Sequence, residues 1–116
     1  MLLVIKDLLI NAANEKTTIN YGKLLSAARL KRSRISDRNA LARCLRDINE
    51  ICVDAGKPPI GIIAVNKQIG NEPITPASGF FTYAKEDELY LHGETDEQLF
   101  NRITKAVYAR HWTTIS

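Results

Sequence analysis

Seven of the chain's sixteen Lys and Arg residues fall between positions 29 and 46, where Arg29, Lys31, Arg32, Arg34, Arg38, Arg43 and Arg46 are accompanied by one acid, Asp37. The block carries +6 and the whole chain +3, so the rest of the chain carries −3. Guanidinium groups fork onto phosphate oxygens or the edge of a guanine, and an ammonium acts as a point charge, so the chemistry on offer is capture of an acidic partner. Nucleic acid is the commonest partner of that kind. On that reading Arg29, Lys31, Arg32 and Arg34 contact backbone phosphates. Arg38, Asn39, Arg43 and Arg46 enter a groove, where Asn39 can read adenine. Asp37 and Glu50, at the two ends, oppose phosphate. The same block also suits a solvated helix face, or one that pairs with the acidic C-terminal half of the chain.

Other chemistry finds less support in the residue types. Cys44 and Cys52 lie eight positions apart in one predicted helix, which separates them by about 12 Å along the axis and forbids a disulfide within it. Two buried, reduced thiols are expected, and a metal site would need His92 and His111 to be brought to them by the fold. The carboxylates Glu86, Asp87, Glu88, Glu94, Asp96 and Glu97 stand in polar segments where nothing would raise a pKa for acid/base work. His92 and His111 have no serine or cysteine at a defined spacing, and no phosphate-loop or dinucleotide glycine pattern occurs. The expectation is no enzyme, no catalytic residue, no cofactor and no metal.

The elements that must position the basic block follow from apolar spacing. With 116 residues and 45% hydrophobic content, the chain fits a single domain, 1–116, with one core. Residues 2–14 carry apolar side chains at helical spacing, and Asn20 is a candidate N-cap for a helix over 21–30. Ser36 or Asp37 can cap a third helix running to about Ala55, with Gly56 as its stop. In that helix Leu41, Leu45, Ile48 and Cys52 form one stripe. Asn39, Arg43, Arg46 and Glu50 form another, about 200° away, so one side can dock while the other faces a ligand. The β-branched run 60–65 predicts a buried strand, 66–78 a loop, and 80–83 another short strand. Thr95 can cap a last helix over about 95–111, which Trp112 is expected to pin. Phe81, Phe100 and Tyr108 are expected in or near the core. No apolar stretch reaches the roughly 20 residues of a membrane span, nor is there a signal-peptide pattern, so a cytoplasmic protein with no membrane contact is expected.

Two helices joined by a short linker and followed by a β element suggest a fold of the α+β class: a mostly helical single domain, winged helix-turn-helix-like, with a small β-sheet and a helix-turn-helix-like core at about 19–66. The stretches Tyr21-Gly22-Lys23-Leu24-Leu25, Arg38-Asn39-Ala40-Leu41-Ala42-Arg43-Cys44-Leu45 and Pro59-Ile60-Gly61-Ile62-Ile63-Ala64-Val65 resemble the winged-helix DNA-binding part of DNA alkyltransferases and alkyltransferase-like proteins. The resemblance implies a DNA-binding fold, with the arginine that the family inserts into the duplex falling near Arg38, although the spacing to Leu45 is one residue longer here. It does not carry over the activity. There is no thiol or imidazole between positions 53 and 91, where the family holds its reactive cysteine. The expected function is that of a small non-enzymatic nucleic-acid-binding protein with DNA as partner. The alternative is a protein-interaction module, an inhibitor or adaptor of the kind found in phages and mobile elements, binding an acidic protein through the same surface or the 66–79 loop. The acidic 86–97 segment opposite the basic block also permits a head-to-tail homo-oligomer.

Overall fold

Three helices converge on the segment Ile60–Ile63, whose isoleucines are wholly buried. In this computed structural model, which describes residues 1–77 and 79–115, the chain runs α1 (Leu2–Asn14), β1 (Ile19–Asn20), α2 (Tyr21–Ala27), α3 (Ile35–Asp54), a 3₁₀ turn (Ile60–Ile63), β2 (Ala64–Val65), α4 (Phe80–Glu86) and α5 (Asp96–Tyr108). The result is mostly helical, with a two-stranded parallel sheet in which Ile19 pairs with Ala64 and Asn20 with Val65. Ser78, the last residue of the predicted 66–78 loop, and Ser116 lie outside the described residues.

The 60–65 segment is a strand only at its end. Flanked by α1, α3 and α5, Ile60–Ile63 has no neighbouring strand to bond to, so the chain tightens into a 3₁₀ turn. The Ile62 N–H then donates to the Pro59 carbonyl at 3.2 Å. The Gly61 N–H finds a side chain instead, the Asn49 Oδ1 at 2.7 Å.

The predicted strand at 80–83 is helix α4. Gly79, at φ 91°, turns the chain into it, and the buried residues Phe80, Tyr83 and Ala84 follow a helical i, i+3, i+4 spacing that a four-residue window cannot distinguish from a strand. Between β2 and α4 the chain doubles back. The Asn66 N–H donates to the Thr75 carbonyl at 3.0 Å and the Ala77 N–H to the Ala64 carbonyl at 2.7 Å. Val65 and Pro76 make an antiparallel bridge, so residues 67–74 project as the tip of a narrow ribbon.

Asn20 caps α2 as expected, its side chain accepting from the Gly22 N–H at 2.7 Å. The helix ends at Ala27 rather than Leu30 because Arg29 adopts a left-handed conformation, φ 59°. The Arg29 N–H then reaches the Ser26 carbonyl and the Leu30 N–H the Leu25 carbonyl, the paired bonds of a Schellman ending. Helix α3 starts two residues earlier than expected. Arg34 occupies its N-cap position without a side-chain cap bond, and neither Ser36 nor Asp37 caps it. Its inward stripe is as the spacing implies, with Leu41, Leu45, Ile48 and Cys52 buried. Cys44 and Cys52 are free and buried, and burial pushes both thiols above their ordinary pKa.

Helix α5 opens with a full capping box: Thr95 Oγ1 accepts from the Gln98 N–H at 3.1 Å and Gln98 Oε1 from the Thr95 N–H at 2.9 Å. It ends at Tyr108, three residues short of expectation. Trp112 is buried beyond that end, its indole N–H donating to the Val107 carbonyl at 2.9 Å. Its backbone is clasped by Asn14 of α1, which accepts from the Trp112 N–H and donates to the Trp112 carbonyl, each at 2.8 Å. Phe81, Phe100 and Tyr108 pack half-buried against the core. Among the described residues no helix is long and apolar enough to cross a membrane.

Candidate functional site

The linker between α2 and α3 is held by the residues at the start of α3. Asp37, one turn into the helix, turns back so that its Oδ2 accepts from the Lys31 N–H at 2.8 Å. The Arg38 guanidinium donates to the Arg32 carbonyl at 2.7 Å, and the Tyr21 hydroxyl donates to the Arg38 carbonyl at 2.9 Å. Arg32 lies back over the first turn of α2: a Cβ built on Gly22 would come within 2.1 Å of its Nη2. Thus the only acid in the block is committed to the backbone of the linker and Arg38 fastens the linker to α3, while the Arg32 guanidinium lies against α2 without a hydrogen bond or ion pair to a described residue.

The remaining basic groups divide into two sets. Arg29, Lys31, Arg34 and Arg43 are exposed, and none of their side chains makes a hydrogen bond or ion pair with a described residue. Asn39 is exposed on the same helix face as Arg43. Arg46 is engaged. Its Nε lies 3.3 Å from Glu50, its Nη2 bonds Glu86 of α4, and its guanidinium stands 5.7 Å from the centre of the Tyr83 ring. The hydrogen bond to Glu86, followed by that to Glu50, raises its pKa. Of the residues assigned to a groove, Asn39 and Arg43 are therefore exposed and unengaged, Arg38 is a linker clamp, and Arg46 links α3 to α4.

The acidic segment is largely structural. Arg102 forks onto Glu94 at 2.7 and 2.9 Å and also donates to the Leu89 carbonyl at 2.8 Å. These guanidinium bonds hold the Glu94 carboxyl below its ordinary pKa. The Tyr90 hydroxyl donates to Asp96 at 2.5 Å. Among the described residues no three of the His, Cys, Asp and Glu side chains gather where they could hold a metal ion.

Beside the basic face lies a cleft that the residue types did not reveal. It measures about 220 Å³ and opens between α3 and α4, with Arg43 and Arg46 on one side, Phe80 and Tyr83 on the other, and Gly61 and Asn49 deeper in. Asn49 is the one buried polar residue among those described, 3% exposed. Its Oδ1 faces the Gly61 N–H, which settles the orientation of the amide and leaves Nδ2 with no described partner. Gly61 has to be glycine for this contact, since a Cβ there would lie 2.4 Å from Asn49 Oδ1. The signal in the sequence is slight: an asparagine between Ile48 and Glu50, one position off the apolar stripe.

Compared with known protein families, curated proteins and solved structures, the chain matches none.

Proposed function

We propose that this domain binds nucleic acid without catalysing a reaction, and that the contact surface is formed by the α2–α3 linker, the outer face of α3 and the ribbon tip at 67–74. The observation that carries the reading is the contrast within one cluster: Arg29, Lys31, Arg34 and Arg43 have no described acidic partner, while Asp37, the acid that would oppose them, is occupied by the Lys31 N–H. An arrangement that leaves four cations unpaired on one α2–α3 unit suits a phosphate backbone, since each can neutralise one phosphate and release counterions. Asn39, on the exposed stripe of α3, is the side chain placed to meet a base edge. The likeness of the stretches 21–25, 38–45 and 59–65 to the DNA-binding part of alkyltransferases supports the same reading.

The test is fluorescence anisotropy of labelled duplex and single-stranded DNA between about 50 and 200 mM salt. Four phosphate contacts give a slope of log affinity against log salt of about −3.6. Arg34→Ala with Arg43→Ala should halve that slope to about −1.8 with little change in thermal stability, because both side chains are exposed and neither makes a hydrogen bond or ion pair with a described residue. Absence of binding to either DNA at the lowest salt would refute the proposal and turn attention to an acidic protein partner.

A further inference from the structure

We infer that the cleft between α3 and α4 is a binding site for a small planar organic anion: an aromatic acid carrying a hydrogen-bond acceptor at the end of the ring opposite its carboxylate. The inference does not rest on nucleic-acid binding. Deep in the cleft, Asn49 offers two amide N–H groups from a side chain that is 3% exposed and cannot rotate away, because Oδ1 is bonded to the Gly61 N–H at 2.7 Å. A donor that faces the cleft with no described protein partner suits a ligand that supplies a carbonyl or similar oxygen. Tyr83 also lines the cleft, and burial, with the nearby Asp87 carboxylate second, pushes the pKa of its hydroxyl up, so that group stays protonated.

The mouth selects the sign of charge. No carboxylate lines the cleft among the described residues, and Arg46 is already neutralised by Glu50 and Glu86. Arg43, which lines the cleft and has no described partner, is left to receive an anion. Arg43 and Asn49 stand six positions apart on α3, about 9 Å along the axis, which suits a ligand with its anion and its acceptor at opposite ends. The walls between them include Phe80 and Tyr83, set edge to face with centroids 6.0 Å apart. A cavity of about 150 Å³ holds one benzene ring. The 220 Å³ here is room for one ring with a substituent at each end.

The test uses 4-carbamoylbenzoate, which has a carboxylate and an opposed amide carbonyl. It is titrated into the ¹⁵N-labelled full chain while the Asn49 side-chain amide pair is followed by NMR. The expected result is a saturable shift of that pair, with affinity lowered about tenfold for benzoate, which lacks the acceptor, and about tenfold for terephthalamide, which lacks the charge. Arg43→Ala should reproduce the loss for 4-carbamoylbenzoate and leave terephthalamide unchanged. Ala42→Leu, which narrows the cleft from a half-buried position, should abolish binding of both. These variants avoid the folding risk of changing Asn49 itself. No saturable shift, equal affinity for all three compounds, or binding indifferent to both variants would overturn the inference. Duplex binding measured on the same Ala42→Leu sample separates the two proposals. Retained DNA affinity with lost ligand binding supports both, and DNA binding without any ligand shift in the parent protein refutes only the cleft.

Discussion

Replacing Glu50 and Glu86 together by glutamine should make duplex DNA binding tighter and more sensitive to salt. Both carboxylates hold Arg46, one along α3 and one across to α4, and all three side chains are about half exposed. Freed from them, the Arg46 guanidinium lies on the same stripe as Asn39 and Arg43 and becomes a fifth cation able to meet a phosphate. The net charge rises from +3 to +5, two acids having been removed. At about −0.9 per phosphate, the salt slope moves from about −3.6 to about −4.5. Over a fourfold rise in salt, the parent protein should therefore lose about 150-fold in affinity and the double variant about 500-fold. Anisotropy titrations at four salt concentrations resolve that difference, and circular dichroism melts serve as the control. Exposed pairs contribute little to folding, so the melts should nearly superimpose. A slope unchanged within error would place Arg46 off the nucleic-acid surface. A shallower slope would refute the counting of cations altogether.

Arg29→Gly should stabilise the domain by about 1 kcal/mol in denaturant unfolding, because glycine adopts φ 59° without strain, and it should also reduce the salt slope of DNA binding by about 0.9. Gly61→Ala should destabilise by about 2 kcal/mol, since the new methyl displaces the buried Asn49 amide, and the Asn49 side-chain NMR signals should move with it. Asn14→Ala removes both bonds to the Trp112 backbone and should cost about 1 to 2 kcal/mol, against about 3 to 5 kcal/mol for Trp112→Ala, both read from urea midpoints. On the acid side, Glu94 has a folded pKa below its ordinary value of 4.5, so its pairing with Arg102 contributes stability above that pH and loses it as pH falls through the lower folded value. Glu94→Gln should therefore flatten the fall in stability between pH 5 and the acid transition, the range in which melts would be compared.

How far the fold follows from residue spacing depends on which local signals the chain uses. Helix starts at Asn20 and Thr95 are announced by side chains that accept the bonds expected of them, and α3 shows itself through its two opposed stripes. Helix ends are another matter. The reversals after α1, α2 and α4 place Lys16, Arg29 and Glu88 at positive φ, positions where glycine would have marked the stop, and of the helix ends closed in this way only that of α3 has its glycine, Gly56. The 60–65 run shows a different limit. Its composition specifies burial, and whether buried isoleucines extend or coil was decided by the three helices around them and by Asn49 reaching the Gly61 N–H. For the surface, charge density located the basic block. It could not tell that Arg38 braces the linker or that Arg46 is drawn to Glu86, since Glu86 lies 40 residues away along the chain. The cleft was out of reach for the same reason, being assembled from α3, the 3₁₀ turn and α4.

The clasp between Asn14 and Trp112 joins residues 98 positions apart. During synthesis α1 leaves the ribosome 98 positions ahead of the partner that holds its last turn, and Ile115, another buried side chain, follows Trp112. The helices and the two-stranded sheet can form while the nascent chain is tethered, but the core stays open at that corner until residues 112–115 have cleared the exit tunnel. Until then α1 is a helix made but not fastened, and a chain interrupted a few codons before position 112 would leave it without its anchor.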